Sequence, residues 1–491
     1  MKILFVAPLD NEGNIHNWGA PSLAIVRIVS YLKHHLQDND IEYLIYENQI
    51  DDFDPIEKWQ NDKIELCGIS TLHYTNVATF EFVQRWRKTH PESFIFIGGN
   101  EAGANYQDIF DKCPIDAAVT AEGEDTTLDL IKWKFGEKKF EEINGIVYRK
   151  YAKPITEDKF WEYWRYVDFS QFRYPKFWEK TAALFDHPNY AEIYCIRLTP
   201  SSHCQRSCTF CSLNFVRNIA CGRSTPPVSL QGWQIMQLIH NIKQQLPDTR
   251  TLYFCGDDIF YPNRRYFEDF VELYEKSGYD YRILVQTSSY SLQENDFRLL
   301  QRIGCVHISV GVENVSKSVQ RSLKKPQDME KIERIIELSK QYGIKIYYLI
   351  ILIPPASTME DLRLNYETIT RWIDQGVGIS IMPVIYAYRG MPLFEDNHYQ
   401  IQYQTKQIAD TKQIYNDPYY VLPNDPKVRA LTLEFIEREW DYVNKAYEDK
   451  DNKLKFKGGT APLLLKLLGE LLEKYNYNDV SEFYPAAVQE R

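Results

Sequence analysis

The sequence predicts an α/β protein with two successive parallel sheets and a small, mostly helical region at the C-terminal end. Short apolar strands alternate with helix-like segments from residue 1 to 150, and a second alternation of the same kind runs from 191 to 399. Between them, 151–190 is expected to be a linker. From 400 to 491 the apolar residues have mainly helical spacing. A length of 491 residues is enough for two or three domains.

The first series predicts a doubly wound, Rossmann-like parallel sheet. Its strands are apolar on both faces, as they are where helices cover both sides of a parallel sheet. The five strands are expected at 2–7, 42–46, 64–70, 94–99 and 115–120, with helices at 21–36, 75–89 and 124–134. Ligands of such sheets bind beyond the carboxyl ends of the strands. At these ends the chain carries small and polar residues, namely Ser70, Thr71, Gly98, Gly99, Asn100, Glu122 and Gly123.

The second series predicts a partial barrel. Six strands are expected, at 191–199, 251–256, 281–287, 305–311, 344–353 and 378–387. Because eight βα units close a full barrel, six of them predict a partial (β/α)6 barrel. The aromatic-rich linker before the barrel is expected to pack across a domain interface. In the C-terminal region, Thr460 is the expected N-cap of a Leu-rich helix with Pro462 in its first turn.

Composition and charge exclude several classes of function. The net charge is −11, whereas binding to nucleic acids or anionic membranes requires a clustered positive surface. The Lys324–Lys325 pair is expected to be a solvated helix end. No apolar run approaches the roughly 20 residues that span a bilayer, and the first strand is too short for a signal peptide. The protein is therefore expected in the cytoplasm, with its nine cysteines as thiols or metal ligands rather than disulfides.

Three cysteines just after the first barrel strand carry the strongest chemical signal. Cys204, Cys208 and Cys211 form a C-x3-C-x2-C pattern. Three thiolates on one short loop can hold three irons of a cubane cluster and leave the fourth iron open to a ligand. One alternative is a structural zinc ion, which needs a fourth ligand from outside the pattern. The candidates for that ligand are Cys195, Cys221, Cys255 and His203. The other alternative is that the three cysteines are buried free thiols.

This segment resembles the signature of the radical S-adenosylmethionine (SAM) superfamily, in which an aromatic residue, here Phe210, precedes the last cysteine. The resemblance implies a [4Fe–4S] cluster bound by the three cysteines, with SAM chelating the open iron through its amino and carboxylate groups. One electron, from a donor such as flavodoxin or ferredoxin, would cleave SAM to methionine and a 5′-deoxyadenosyl radical. That radical would take a hydrogen atom from the substrate.

Three further segments, each at a strand end, resemble SAM-binding motifs of the same superfamily. Gly256, Asp257 and Asp258 resemble the acidic motif that binds the SAM ammonium group, which is a charge-assisted contact. Glu313 resembles the glutamate that approaches the ribose. Pro354 lies in a segment that resembles Gly-x-Pro-Gly-Glu-Thr but lacks its glycines. The resemblance implies that these residues, with the aromatic residue before the last cysteine, bind SAM.

The N-terminal series resembles the cobalamin-binding domain that precedes the barrel in one large branch of the superfamily. The resemblance rests on 19–23, 68–70, 98–99 and 122–124, and it implies that the seven residues at the strand ends contact cobalamin. The chain lacks Asp-x-His-x-x-Gly, whose histidine ligates cobalt, so cobalamin would bind without a protein histidine. Three other histidines are expected to be surface or packing residues, namely His16, His73 and His187. The alternative is a domain that keeps the fold without the cofactor.

The two cofactors together imply a methyltransferase that acts on an unactivated carbon or on phosphorus. The substrate radical would take the methyl group from methylcobalamin, because an sp3 C–H bond offers no lone pair to a polar methyl donor. A second SAM would remethylate the corrinoid. One rival is a radical oxidative cyclase or ring-rearranging enzyme without methyl transfer. A rival of another class is a non-catalytic cobalamin or iron–sulfur sensor. The substrate is expected to be a small molecule or a peptide.

Overall fold

The computed structural model describes residues 1–7, 21–37, 40–72, 75–120, 122–148, 159–182, 194–204, 206–222, 224–256, 259–260, 263–408, 414–448 and 460–477, and the backbone alone at 151–153. The predicted fold class is confirmed. A mainly parallel sheet is followed by a second, wholly parallel sheet of six strands and then by a mostly helical region.

The first sheet has seven strands in the order β2-β1-β3-β4-β5-β6-β7. They are β1 (Lys2–Val6), β2 (Glu42–Tyr46), β3 (Leu66–Ser70), β4 (Phe94–Gly98), β5 (Ala117–Val119), β6 (Ile146–Tyr148) and β7 (Tyr151–Lys153). The first five are parallel, as predicted, whereas β6 and β7 form an antiparallel hairpin at the edge. The sequence does not predict this hairpin, because strands of three residues are too short to show an alternating pattern.

Helices cover both faces of this sheet. They are α1 (Leu23–His35), α2 (Pro55–Lys58), α3 (Asn76–Thr89), α4 (Asn100–Lys112) and α5 (Gly123–Lys134). Strand β1 shows why the strands are apolar throughout. Leu4 and Val6 belong to one apolar core, whereas Ile3 and Phe5 belong to another, and all four are at most 2% exposed. Two cores on opposite faces are the packing of a doubly wound sheet.

Where it is described, the aromatic-rich segment between the sheets contains two short helices, α6 (Phe160–Arg165) and α7 (Tyr174–Ala182). Trp164 and Trp178 are buried and join the core of the second sheet. The backbone N–H of Asp168 donates to Ser30 Oγ on α1 at 3.1 Å. The segment therefore contacts both the N-terminal helices and the barrel.

The second sheet contains six parallel strands in sequential order. They are β8 (Cys195–Leu198), β9 (Thr251–Phe254), β10 (Arg282–Ser288), β11 (Cys305–Glu313), β12 (Lys345–Ile353) and β13 (Gly378–Val384). The helices between and after them are α8 (Leu213–Cys221), α9 (Gly232–Gln245), α10 (Arg264–Ser277), α11 (Glu294–Arg302), α12 (Lys317–Ser322), α13 (Met329–Tyr342) and α14 (Met359–Asp374). This is the predicted partial barrel, in which all strands end at the same edge.

The C-terminal region contains helices and one unpredicted hairpin. The elements are α15 (Pro392–Glu395), β14 (Gln400–Gln407), β15 (Ile414–Leu422), α16 (Pro426–Glu448) and α17 (Ala461–Tyr477). Antiparallel β14 and β15 are not predicted, because β14 is largely exposed and polar residues fall on both of its faces. In the part of the chain that the structure describes, no helix combines the length and the apolar character needed to cross a bilayer.

Candidate active site

The cysteine loop follows β8 at the carboxyl edge of the barrel. Cys208 is 7% exposed, whereas Cys204 and Cys211 are half-buried. The backbone N–H of Arg206 donates to Cys204 Sγ at 3.5 Å, and that of Cys211 donates to the Cys208 carbonyl at 3.3 Å. The chain therefore folds back on itself within the motif, so that the three thiols lie on one compact loop.

The loop is anchored through Thr209, which lies between the second and third cysteines. Its backbone N–H donates to the Leu323 carbonyl at 3.1 Å, and its hydroxyl donates to the Ser322 carbonyl at 3.1 Å. Its own carbonyl accepts from the N–H of Leu393 at 3.1 Å. Helix α12 and helix α15 thus hold the loop from two sides.

Burial raises the pKa of the Cys208 and Cys211 thiols, while the nearby charge of Lys325 acts against this rise at both. Metal binding requires the thiolate form, so loading such a site releases protons. Among the described residues, no three His, Cys, Asp or Glu side chains are grouped closely enough to hold a single metal ion. A cubane cluster does not need such a group, because each cysteine binds a different iron. The donor set of three thiols on one loop fits a [4Fe–4S] cluster.

Glu313, at the end of β11, lies beside the cysteine loop. It adopts a left-handed backbone conformation, with φ of 66°, which costs a non-glycine residue about 1–3 kcal/mol. Its buried carboxylate accepts a hydrogen bond from Lys325 Nζ at 2.5 Å. Gly311 leaves room for this pair, since a Cβ there would lie 2.5 Å from Lys325 Nζ. The same ammonium lies 5.9 Å from the centre of the Phe210 ring.

The prediction that Lys325 is a solvated helix end is wrong. Its side chain is only 12% exposed, because the buried carboxylate of Glu313 and the cysteine loop surround it. Gln327 completes the arrangement by donating from Nε2 to the carbonyls of Gly311 and Val312, at 3.2 and 3.0 Å. No sequence signal distinguishes Lys325 from the neighbouring cations, because only the tertiary fold brings it onto Glu313.

Two further residues predicted to bind SAM, Gly256 and Pro354, lie at the ends of barrel strands. Gly256 follows β9 and has a left-handed φ of 91°, a conformation that glycine adopts without a steric cost. Pro354 is buried at the end of β12 and accepts from the N–H of Ser357 at 3.1 Å. Asp257 and Asp258 lie outside the described residues. The structure thus brings three of the predicted strand ends, those of β9, β11 and β12, to the edge that carries the cysteine loop.

A cavity of about 250 Å³ lies at the carboxyl edge of the first sheet. Six of the seven strand-end residues that the sequence predicts as a cobalamin site line it, namely Ser70, Gly98, Gly99, Asn100, Glu122 and Gly123. The seventh, Thr71, is fully buried, and its N–H donates to the Gly98 carbonyl at 2.7 Å. The cavity has a second wall from the barrel, formed by Ser202, His203, Leu213 and Arg217.

Two glycines of the cavity differ in what a side chain would meet. Gly99 has φ of 98°, and a Cβ there would lie 2.4 Å from the Thr71 carbonyl oxygen. A Cβ added at Gly98 would meet nothing closer than the Val119 Cβ at 3.9 Å, which is an ordinary contact distance. Gly99 therefore shapes the turn into α4, whereas Gly98 leaves space in the cavity itself.

Two buried ion pairs border the cavity. Arg27 lies 2.8 Å from Glu124, which is 2% exposed, and Arg217 pairs with Glu122. Burial raises the pKa of Glu124 to about 7, although the charge of Arg27 opposes the rise. Among the described residues, Arg27 Nε and Thr127 Oγ1 are buried here without a hydrogen-bond partner. Unsatisfied buried polar atoms of this kind fit a site that receives a polar ligand group.

His203 is the histidine that lines the cavity among the described residues, and both of its ring nitrogens are engaged. Nδ1 lies 2.9 Å from Ser202 Oγ, and Nε2 lies 2.9 Å from the Thr225 carbonyl. The histidines that the sequence assigns to surface or packing positions lie outside the described residues, namely His16, His73 and His187.

Comparison with known proteins finds similarity to one superfamily in sequence and in fold. Residues 198–367 match the family model of the radical SAM superfamily. The chain is 22% identical, over 76% of its own length, to an anaerobic magnesium-protoporphyrin IX monomethyl ester cyclase from Rubrivivax gelatinosus, of which it covers 66%, slightly less than two thirds.

Two solved structures share the fold over almost the whole chain. TsrM, a radical SAM methyltransferase from Kitasatospora setae solved with cobalamin and a [4Fe–4S] cluster, has a TM-score of 0.65 at 14% identity, covering 97% of this chain and 99% of that one. OxsB, a cobalamin-dependent SAM radical enzyme solved with aqua-cobalamin and SAM, has a TM-score of 0.65 at 14% identity, covering 97% and 72%. Residues 198–367 therefore carry the sequence features of the radical SAM superfamily, and the chain has the fold of the cobalamin-dependent enzymes TsrM and OxsB.

Proposed function

We propose that the protein is a cobalamin-dependent radical SAM methyltransferase. The observation that carries the proposal is the shared wall of the N-terminal cavity. Strand ends of the first sheet form one side, while Ser202, His203 and Leu213, which flank the cysteine pattern, form the other. A corrinoid held at this cavity would therefore lie beside the cysteine loop. The similarity in fold to TsrM and OxsB, both solved with cobalamin, supports this proposal.

The size and lining of the cavity suit one part of the cobalamin molecule. Pockets for small ligands usually enclose about 300–1,000 Å³, so a cavity of about 250 Å³ suits the nucleotide tail rather than the whole of cobalamin. The unpartnered Arg27 Nε can donate a hydrogen bond to the tail, and the Thr127 hydroxyl can donate or accept one. The six strand-end residues that line the cavity would form the remaining contacts, whereas the buried Thr71 would support the turn beside them.

The proposed roles follow from the positions of the side chains. When bound, the cluster with SAM would supply the radical that removes a hydrogen atom from an unactivated bond, and methylcobalamin would supply the methyl group. The three cysteines of the loop would hold the cluster. Asp257 and Asp258 would bind the SAM ammonium group. Glu313, held by Lys325 at 2.5 Å, would accept hydrogen bonds from the ribose.

The test is a product analysis of the reduced, reconstituted protein incubated with SAM and candidate substrates. Methyl transfer predicts both 5′-deoxyadenosine and S-adenosylhomocysteine, because one SAM is cleaved and a second donates its methyl group. Deoxyadenosine without S-adenosylhomocysteine would contradict methyl transfer and keep the radical chemistry. Formation of neither product would favour a non-catalytic sensor.

The second candidate function is radical oxidative cyclisation or ring rearrangement without methyl transfer. One observation favours it, namely that the relative from Rubrivivax gelatinosus, aligned over 76% of this chain, is a cyclase. The same product analysis separates the two candidates, because a cyclase of this type consumes SAM only by reductive cleavage.

A further inference from the structure

The chain contains a short, dense basic segment against an acidic background. Residues 314–327 include four lysines and arginines and no aspartate or glutamate, whereas the whole chain has a net charge of −11. The four cations are Lys317, Arg321, Lys324 and Lys325. Lys325 is occupied by the ion pair with Glu313, which leaves three cations to be explained.

These three cations, the basic stripe, lie on one exposed surface. Lys317 and Arg321 are four residues apart on α12 and therefore share a helix face. Lys324 follows the end of that helix, in a left-handed conformation with φ of 50°. All three are exposed, and none forms an ion pair with another described residue. The cations are free to attract an external partner.

The stripe is fixed directly to the cysteine loop. The two hydrogen bonds from Thr209 end on Ser322 and Leu323, which lie between Arg321 and Lys324 in the chain. The opposite face of α12 is buried, with Val319 and Leu323 at most 1% exposed. A partner on the stripe would therefore be separated from the cluster site by little more than this anchored turn.

Two acidic groups that contact this segment are already engaged. Glu313 is paired with Lys325. Asp361, on α14, accepts hydrogen bonds from Ser316 and Ser318 at the start of α12. Neither carboxylate neutralises the exposed stripe, so a local positive surface stands out beside the cluster site of an acidic protein.

We propose that the basic stripe is the docking surface for a small acidic one-electron carrier protein of the flavodoxin or ferredoxin type. The inference rests on the proposed radical function, in which SAM cleavage consumes one electron. The reduced flavin or iron–sulfur centre of the carrier loses one electron, and the cluster gains it, with no proton or group transferred. The negative field of the remaining surface repels an acidic partner elsewhere, so the stripe both attracts and orients it.

The test compares two reductants on the same holoenzyme. The double variant Arg321→Glu/Lys324→Glu reverses two charges of the stripe and leaves Lys325 intact. With reduced flavodoxin as donor, the rate of 5′-deoxyadenosine formation should fall at least about tenfold at low ionic strength. With dithionite, which needs no docking surface, the rate should equal that of the wild type. The wild-type rate with flavodoxin should also fall between about 0.05 and 0.5 M NaCl, since salt screens the attraction.

The matched control is Lys276→Glu/Lys340→Glu. These exposed lysines lie in the last turns of α10 and α13, at the amino edge of the parallel sheet and away from the cysteine loop. The control carries the same charge change, so its rate with flavodoxin should stay within about twofold of wild type. Melting temperatures of both variants show whether either change unfolds the protein.

Three results of these rate measurements would contradict the proposed docking surface. They are an unchanged flavodoxin-supported rate in the stripe variant, an equal loss with dithionite, and an equal loss in the control. If the wild type does not cleave SAM with dithionite, the proposed radical function is wrong. The docking surface is then tested separately, by comparing the dissociation constants of the wild type and the stripe variant for flavodoxin. Loss of binding to a DNA duplex or to anionic vesicles, with flavodoxin binding unchanged, would assign the stripe to another partner.

Discussion

Lys325 shows how one buried cation serves several groups in the candidate active site. Its ammonium donates to Glu313 at 2.5 Å, and its charge opposes the rise in the pKa of Cys208 and Cys211 that burial causes. Removing one partner of a buried ion pair costs about 3–5 kcal/mol. The residue is therefore part of the site, although nothing in its local sequence distinguishes it from the exposed Lys324.

Replacing Cys208 by alanine should abolish the cluster. The cluster requires three protein thiolates, and this cysteine is the most buried of the three. Iron content should fall well below about four per chain, and SAM cleavage should be lost. Cys255→Ala is the control and should keep both. Full iron content and full cleavage in Cys208→Ala would show that the cluster assignment is wrong.

Glu124 predicts a measurable dependence of stability on pH. Its pKa is raised from 4.5 to about 7 in the folded protein, so the folded state holds more protons than the unfolded state between these values. Stability from this group is therefore present at low pH and is lost as the pH rises through that window, by up to about 3 kcal/mol.

The measurement is the difference in melting temperature between wild type and Glu124→Gln from pH 4.5 to 8. Wild type should lose stability relative to the variant as the pH rises and should level off above about pH 7. The control variant Glu137→Gln changes an exposed glutamate, and its melting temperature should differ from that of the wild type by a constant amount over this pH range. Parallel curves for wild type and Glu124→Gln would contradict a buried, proton-binding carboxyl at this position.

At the scale of elements, the turn from β4 into α4 defines the floor of the N-terminal cavity. Gly99 has a left-handed backbone and no room for a Cβ against the Thr71 carbonyl, whereas Gly98 faces open space. A substitution at Gly99 would thus strain the turn before it filled the cavity. Gly99 is therefore required for the backbone conformation of the turn, whereas Gly98 is required for space in the cavity.

Gly98→Leu is expected to abolish cobalamin retention by filling the cavity, while iron content stays unchanged. The added side chain makes no backbone clash at its Cβ, so the fold should survive. Val306→Leu, at an exposed position near the start of β11, is a control that should retain cobalamin. Equal cobalamin content in wild type and Gly98→Leu would remove this cavity from the proposed site.

The extent to which the sequence predicts the structure differs between elements for physical reasons. Buried parallel strands such as β12 are continuous apolar runs, so the parallel strands of both sheets are predicted to within a few residues. The cysteine loop is predicted because the spacing of its three cysteines indicates a cluster-binding motif. The exposed β14 has no apolar run, and the pairs Lys325–Glu313 and Arg217–Glu122 join residues that only the tertiary fold brings together.

At the scale of the whole molecule, the proposed cofactor sites lie next to each other because α8 links them. This helix begins two residues after Cys211, and its Arg217 pairs with Glu122 at the edge of the first sheet. Leu213 and Arg217 also line the cavity. The loop proposed to hold the cluster and the wall of the proposed cobalamin site are therefore parts of one continuous segment.

The most direct test of this account is the electron paramagnetic resonance spectrum of the cobalamin-loaded protein in the Co(II) state. His203, in the cavity wall, has both ring nitrogens engaged, and the chain lacks the motif that supplies an axial histidine. We therefore predict one cobalamin per chain and a cobalt signal without nitrogen superhyperfine splitting. A triplet splitting from an axial nitrogen, or a protein that retains no cobalamin, would contradict the account.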